Sequence, residues 1–240
     1  HGMHINYDAA HVAGLIAGGK FQDPLREGTD TMTMSTHKTL FGPQGGLVLG
    51  SEEHAEPIKK AMFPGLTSSH HIHHMGAKAV AFAEALEFGK DYAEQTIKNA
   101  KALASELNSV GFKVLGEKRG YTESHQTVVN VLDYGDGGTI EADLEKANII
   151  VNRQLIPGDL KAGRHYMHPG GIRLGTSEIT RLGMKESEMK EIASLLKQVV
   201  VDKKDAGEIA AHVKEFKTDF KKTQYCFDNK LGAYEYVKLR

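Results

Sequence analysis

The sequence predicts an α/β fold built from two units, followed by a helical extension. Short runs with strand-like alternation occur beside longer segments in which apolar residues recur at helical spacing. Clusters of glycine, proline and aspartate separate these runs. With 240 residues, the chain is long enough to bury a core in more than one unit. We place the two units at residues 1–90 and 91–200 and the extension at 201–240.

The first unit is predicted to contain three strands and a long helical region. Met3–Asp8 alternates like an interior strand, and a loop with a short helix follows it over Ala9–Gly19. The other predicted strands are Asp30–Thr36 and the short, buried Leu47–Leu49. Helical spacing then runs from Ile72 to Leu107, with a joint between two helices expected at Asp91-Tyr92.

The second unit is predicted to be a small α/β domain. Its expected strands are Phe112–Val114, Thr127–Leu132, Ile149–Val151 and Gly171–Leu174, and its expected helices are Thr139–Ala147 and Lys185–Val200.

The extension is predicted to begin with a capped amphipathic helix. Asp205 and Glu208 have the spacing of a capping box, and a stripe of Ile209, Val213, Phe216 and Phe220 follows. We expect this helix to dock on the body of the protein or on a partner subunit. The alternative is a helix that lies on a membrane surface.

Composition excludes several classes of protein. Lysine and arginine total 30 against 31 aspartate and glutamate, so no nucleic-acid or membrane partner is expected. The single cysteine, Cys226, leaves no internal disulfide and fits a reducing compartment. No apolar run approaches the roughly 18 residues that a bilayer crossing needs, and no signal-peptide pattern is present. These observations predict a cytosolic protein.

Three residues together match the chemistry of amino acids on pyridoxal phosphate. Lys38 offers the amine that the coenzyme aldehyde requires, and Asp8 offers a carboxylate for the pyridine nitrogen, which must stay protonated. Arg173 offers a planar, permanently charged group for the substrate carboxylate. Each residue alone is a weak signal, because such residues are more often caps or solvated side chains.

The context of these residues resembles the aspartate-aminotransferase-like superfamily of pyridoxal-phosphate enzymes, and within it the serine hydroxymethyltransferase family over about residues 1–200. The matching stretches are Asp8–Leu15, Thr36–Leu40, Phe63-Pro64-Gly65, Asn148–Asn152, Gly171–Thr176, and Ile179–Arg181 with Gly183. The resemblance implies the C-terminal part of a large coenzyme domain followed by a small α/β domain. It also implies a homodimer.

The resemblance also implies roles for individual residues. Lys38 is the Schiff-base lysine, Asp8 pairs with the pyridine nitrogen, and Arg173 binds the substrate carboxylate. His11 lies against the coenzyme ring, and His37, Ser35 and Thr36 line the site beside the lysine. The alternative for His11 and His37 is a structural histidine whose hydrogen bonds are satisfied.

The sequence departs from the family at two places. Gln44 stands where the family usually has arginine, so a cation near the coenzyme is lost. Ser68-Ser69 aligns with the glycine pair that reaches the coenzyme phosphate from the neighbouring subunit; their backbone N–H groups and hydroxyls could still bind phosphate.

A run of four histidines within residues 70–74 is similar to archaeal members of the family, which favours a modified pterin over ordinary tetrahydrofolate. His70, His73 and His74 would share a helix face as metal ligands can. No metal site is predicted, because the run also aligns with a metal-free segment of the family.

The predicted activity is the reversible conversion of serine and a reduced pterin, tetrahydrofolate or tetrahydromethanopterin, to glycine and the methylene-pterin. Because the chain starts directly in a strand-like run, we expect a fragment that lacks the upstream part of the site and is inactive alone. Two alternatives stay open: a threonine aldolase-like lyase that needs no pterin, and a catalytically incompetent folded fragment.

Overall fold

The structure is a computed structural model that describes residues 2–228, 230, 232 and 233. Seven strands and seven α-helices lie within this part of the chain. The strands are β1 (Asn6–Asp8), β2 (Thr31–His37), β3 (Phe41–Gly50), β4 (Lys113–Val114), β5 (Gln126–Asn130), β6 (Asn152–Gln154) and β7 (Gly171–Gly175). The helices are α1 (Ala13–Ala17), α2 (Ala55–Lys60), α3 (Ile72–Ser109), α4 (Gly137–Lys146), α5 (Ser177–Arg181), α6 (Glu186–Val200) and α7 (Ala206–Phe216).

The chain divides into two compact units between Glu94 and Gln95, a point that lies within helix α3. The fold class is therefore the mixed α/β class that the sequence predicts. Among the described helices, none combines the length and the apolar character that a bilayer crossing requires.

The first unit is built on a three-stranded sheet in the order β1-β2-β3. Strand β1 runs parallel to β2, with Asp8 opposite Thr33, and β3 runs antiparallel to β2. Buried side chains of β2 and of the segment after β1 form a small core that includes Ala9, Ala13 and Met32. The parallel pairing brings the carboxyl ends of β1 and β2 to the same end of the sheet.

The second unit has a four-stranded sheet in the order β4-β5-β7-β6, with every pair antiparallel. Its core joins this sheet to helices α4 and α6 through fully buried residues such as Ile140, Ile172 and Leu196. Asp136 caps the start of α4: its carboxylate accepts the backbone N–H groups of Gly138 and Thr139.

Helix α7 packs onto the core of the second unit, in agreement with the predicted docking on the body. Asp205 caps its first turn by accepting the N–H groups of Gly207 and Glu208. Ile209 and Val213 are buried, and Phe216 and Phe220 pack against the same core. Part of the predicted extension at 201–240, namely residues 229, 231 and 234–240, lies outside the described residues.

The joint expected at Asp91-Tyr92 was wrong, because α3 is continuous from Ile72 to Ser109. No proline interrupts this segment. Tyr92 is buried and its ring meets that of Phe41 edge-on, with centroids 4.8 Å apart. The pair at 91-92 therefore lies in the regular spacing of one helix.

Two predicted strands were misplaced. The short buried strand at Leu47–Leu49 is instead the longer β3, whose Leu49 is 39% exposed. Pairing with β2 overrides the low strand propensity of its glycines and proline. The strand expected at Ile149–Val151 lies three residues later, at β6 (Asn152–Gln154), because the polar residues from Asn152 pair with β7.

Candidate functional site

Six of the predicted site residues of the first unit lie at or next to the carboxyl ends of β1 and β2. Asp8 is the last residue of β1, and Lys38 directly follows β2. Both side chains are exposed. One Asp8 oxygen accepts the N–H of Ala10 at 2.9 Å, which holds the carboxylate at the start of the turn into α1.

A buried threonine ties the Lys38 segment to the segment after Asp8. The Thr39 hydroxyl donates to the backbone oxygen of His11 at 2.8 Å and accepts the N–H of Gly14 at 3.0 Å. The backbones approach so closely here that a Cβ on Gly14 would lie 2.1 Å from the backbone oxygen of Thr39. Lys38 is thereby held next to the turn that follows Asp8.

The Lys38 amine is available for chemistry. Among the described residues, none forms a hydrogen bond or ion pair with this side chain. An exposed lysine without a hydrogen bond or ion pair can react with an aldehyde. Lysines held in surface ion pairs react with aldehydes less readily.

The residues that directly precede Lys38 lie in different environments. Thr36 is fully buried and its hydroxyl donates to the Pro43 oxygen at 2.7 Å, a hydrogen bond that stabilises the hairpin between β2 and β3. Ser35 is half-buried and pairs with Gly46 across the hairpin. His37 is exposed, and its Nδ1 accepts the N–H of Gly45 at 3.3 Å. His11 is exposed as well.

The hairpin also meets the start of α3. Lys78 donates to the Gly46 oxygen at 3.4 Å. The pKa of His74 is lowered, first by desolvation and then by the positive charges of His73, His71 and Lys78, while a hydrogen bond with the Gln44 backbone opposes this shift. Lys78 thus lies beside the part of β3 in which Gln44 replaces the expected arginine.

The Ser68-Ser69 pair lies in the exposed connection that leads into α3. This connection follows a segment, Ala61–Leu66, in which Phe63 leaves the helical conformation. The serine backbone and hydroxyls are open to solvent, so they are available to a phosphate group from outside this unit.

Arg173 belongs to the second unit, where it occupies the middle of β7. It lies opposite Val128 of β5 and Asn152 of β6. One guanidinium nitrogen donates to Asn152 Oδ1 at 3.3 Å, which leaves the other donors of the fork available for a carboxylate.

The second unit also contains a largely apolar cavity of about 210 Å³, lined by residues that include Leu174, Ile192 and Val213. None of the nine predicted site residues, all within the described part of the chain, lines it. We assign the cavity no part in the site.

The side chains of the first unit fit pyridoxal phosphate by their chemistry. Among the described residues, Lys38 offers an unengaged amine, Asp8 a carboxylate with one oxygen without a partner, and His11 and His37 two exposed imidazoles. These are the groups that the aldehyde, the ring nitrogen and the ring require.

Sequence reasoning missed the residues that hold this arrangement together. Thr39, Gly14 and Asn152 contact predicted site residues or their segments, but a single threonine, glycine or asparagine has no local signal of such a role. Two of these residues, Gly14 and Thr39, lie in the Asp8–Leu15 and Thr36–Leu40 stretches. Only a prediction that these two stretches pack against each other would have pointed to the contact between them.

Comparison with known proteins places these stretches in a family. A family model described as serine hydroxymethyltransferase matches residues 1–196. The serine hydroxymethyltransferase of Nitrosopumilus maritimus is 78% identical over 238 residues, which cover 99% of this chain and 54% of that protein. That of Cenarchaeum symbiosum is 75% identical over 239 residues, covering 100% and 54%. The chain thus spans about half the length of the curated relatives it matches.

A solved structure is also similar. The crystal structure of L-threonine transaldolase from Pseudomonas fluorescens superposes with a TM-score of 0.84 at 35% sequence identity. The match covers 95% of this chain and 52% of that one.

Proposed function

The chain belongs to the serine hydroxymethyltransferase family, and from this premise we propose that it carries the coenzyme-anchoring part of a pyridoxal-phosphate enzyme. The whole protein would convert serine and a reduced pterin reversibly to glycine and the methylene-pterin. The pterin would be tetrahydrofolate or tetrahydromethanopterin, and the histidine run at 70–74 favours the latter. The single cysteine fits a cytosolic location, which we also propose.

The pair of hydrogen bonds formed by the Thr39 hydroxyl is the observation that carries this proposal. It joins the segment that bears the amine to the segment that bears the carboxylate, through two hydrogen bonds in a buried setting. Catalysis on a bound coenzyme requires that the amine and the carboxylate keep fixed positions. A buried, hydrogen-bonded side chain such as that of Thr39 holds their segments in place.

Each residue has a defined task in this proposal. Lys38 holds the coenzyme aldehyde, Asp8 keeps a proton on the ring nitrogen, and Arg173 binds and orients the amino-acid carboxylate. His11 supports the ring, and His37 lies beside the amine. Pyridoxal phosphate, when bound, supplies the electron sink for the reaction.

Ser35 and Thr36 have supporting tasks. Thr36 holds the hairpin through Pro43, and Ser35 lies beside it on the same strand. Ser68 and Ser69 would bind the coenzyme phosphate of a partner subunit through N–H groups and hydroxyls.

We propose a homodimer as the assembly. Large apolar side chains are exposed along the segment from Met62 to Leu86 of the first unit, which includes the two serines. They are Met62, Phe63, Leu66, Ile72, Met75, Val80 and Leu86, with exposures from 48% to 90%. Several large exposed apolar side chains within one segment are typical of a protein interface.

The coenzyme assignment is tested by adding pyridoxal phosphate to the chain and recording the visible absorbance of the lysine-bound form. We expect it in the wild type and in Lys90→Ala, which alters an exposed lysine of α3, and not in Lys38→Ala. Absorbance that survives in Lys38→Ala would show that another amine holds the coenzyme. No absorbance in any variant would favour the incompetent-fragment alternative.

A second candidate is a pterin-independent retro-aldol activity. It is favoured by the similarity to L-threonine transaldolase, since such chemistry needs the same amine, carboxylate and arginine. Glycine formation from serine by the whole protein, with and without the reduced pterin, separates the two. A rate that does not change when the pterin is omitted would contradict the transferase proposal.

A further inference from the structure

Three side chains that the proposed activity does not use meet at the other end of the first sheet. His4 precedes β1, Asp30 precedes β2, and His54 ends the short 3-10 helix that follows β3. Strands β1 and β2 are parallel, so their starts lie together, and β3 is antiparallel, so its end returns there. One ligand atom from each of the three residues lies within 4.8 Å of the other two.

We propose that His4, Asp30 and His54 form a binding site for a divalent transition-metal ion, with Zn²⁺ as the best-fitting ion. Two imidazoles and one carboxylate are the donors that Zn²⁺ takes, and three protein ligands leave a fourth position for water. In a tetrahedral site the ligand atoms would be roughly 3.3 Å apart, so the side chains must close by about 1.5 Å at most.

The hydrogen bonds of His4 leave a lone pair directed at the proposed ion. The Thr31 hydroxyl donates its only proton to Asn6 Oδ1 at 3.0 Å, so it accepts from His4 Nε2, also at 3.0 Å. The Nδ1 atom is then unprotonated in neutral His4, and it lies 3.8 Å from Asp30 Oδ2. Two lone-pair atoms that face each other are stabilised by a cation between them.

His54 is oriented in a similar way. The Ser51 hydroxyl donates to Glu53 Oε1 at 3.2 Å, so it accepts from His54 Nδ1 at 2.7 Å. This tautomer leaves Nε2 as the ligand atom. Hydrogen-bond partners behind a metal-binding histidine fix the orientation of its ring, and Ser51, which is itself bonded to Glu53, does this for His54.

Asp30 is fixed by the backbone. Its Oδ2 accepts the Ile5 N–H at 2.6 Å, and the Asp30 N–H donates to the Ile5 oxygen at 3.0 Å. The side chains of Asp30 and His54 are 34% and 23% exposed, so the site is partly shielded but open to an entering ion. The ion would join the starts of β1 and β2 to the end of β3.

The test uses the full chain, freed of metal by a chelator and titrated with Co²⁺, whose visible spectrum reports tetrahedral coordination. We expect one tight equivalent that Zn²⁺ displaces. His4→Ala and His54→Ala should weaken binding about a hundredfold or more, and Thr31→Val, which removes the hydroxyl that orients His4, roughly 10- to 100-fold. The double variant His73→Ala/His74→Ala is the matched control and should bind like the wild type.

Stability measurements keep the test decisive if an alanine variant folds poorly. Zn²⁺ should raise the urea midpoint of the wild type but not that of the isosteric Asp30→Asn variant, because an ion that binds only the folded state stabilises it. Binding that is unchanged in His4→Ala, His54→Ala and Asp30→Asn would overturn the proposal. Loss of the Co²⁺ spectrum in the histidine-run control, or no tight equivalent in the wild type, would do the same.

Discussion

The Thr39 hydroxyl donates to the main-chain oxygen of His11 over 2.8 Å, and the same oxygen atom of Thr39 accepts the N–H of Gly14. Thr39 is 1% exposed, and its hydrogen bond with the Gly14 N–H is buried. The residue next to the candidate coenzyme lysine is therefore the one that fixes the turn after Asp8.

Replacing Thr39 by valine should separate these two segments. The change removes both hydrogen bonds and leaves the buried Gly14 N–H without its Thr39 acceptor, which costs about 1–3 kcal/mol. We expect a lower free energy of unfolding in urea and a weaker affinity for pyridoxal phosphate. Thr39→Ser keeps the hydroxyl and should retain most of both. Equal losses in the serine and valine variants would mean that the methyl group matters more than the hydrogen bonds.

Gly14→Ala tests the close approach itself. The added Cβ would lie 2.1 Å from the backbone oxygen of Thr39, so the segment after Asp8 and the segment around Lys38 must move apart. We expect destabilisation of at least about 2 kcal/mol, as for other overpacked positions, together with loss of coenzyme affinity. Gly76→Ala is the matched control, because nothing lies within 4 Å of its Cβ. Near the start of α3, this substitution should stabilise the protein by up to about 1 kcal/mol. A harmless Gly14→Ala would contradict the packing described for α1.

Arg173→Lys should weaken amino-acid binding while coenzyme binding stays unchanged. Lysine retains the charge but loses the planar pair of donors that a carboxylate accepts. We expect the Kd for serine, measured by the spectral change of the coenzyme-loaded protein, to rise about tenfold or more. Asn152→Ala, which removes the Oδ1 acceptor at 3.3 Å, should raise it less. A larger effect at Asn152 than at Arg173 would assign the carboxylate to a different residue.

Leu86→Lys tests the proposed homodimer. Leu86 is 90% exposed on α3, so the substitution has little effect on the folding of the subunit but places a charge on the apolar segment. We expect weaker self-association by sedimentation equilibrium. Ile150→Lys, at a 77% exposed residue of the second unit, is the control and should not change the association. A monomeric wild type would remove the basis for this prediction.

Asp136 should make the stability depend on pH in the acidic range. Desolvation alone would raise the pKa of this carboxyl, but the hydrogen bonds from Thr139 and Gly138 and the contact with His168 outweigh it, so the pKa is lowered. A carboxyl with a lower pKa in the folded state stabilises the fold above its unfolded pKa of about 3.9, and this contribution is lost as the pH falls through the folded pKa.

The measurement compares urea unfolding of the wild type and Asp136→Asn from neutral pH down through this window. The asparagine keeps an acceptor for the cap but does not titrate, so its free energy of unfolding should fall less steeply below pH 4 or so. Asp136→Ala, which removes the cap, should cost about 1 kcal/mol at neutral pH. Identical slopes for wild type and Asp136→Asn would contradict the assignment.

Local signals in the sequence predicted much of the fold. Helix α4, strand β7 and the cap at Asp205 follow from spacing and capping residues close together in the chain. Strand β3 was underestimated because its glycines and proline have poor strand propensity, and only the partner β2 makes the extended conformation favourable. The joint assigned at Asp91-Tyr92 was an error of the same kind, since burial of Tyr92 depends on tertiary contacts.

The site was predictable only where a motif covers it. Lys38 and Asp8 lie in stretches that resemble a known family, but the bond between Thr39 and His11 depends on how those stretches pack. The cluster of His4, Asp30 and His54 was not predicted at all. Its members are far apart in the sequence, and strand directions bring them together.

The two proposed sites would give the first unit two optical reporters, one at each end of β2. Lys38 follows the end of β2, where bound coenzyme would give a visible band, and Asp30 precedes its start, where Co²⁺ would give another. If the sheet unfolds as one cooperative element, both bands should disappear at the same urea concentration. Separate midpoints would reveal that one end of β2 frays before the other.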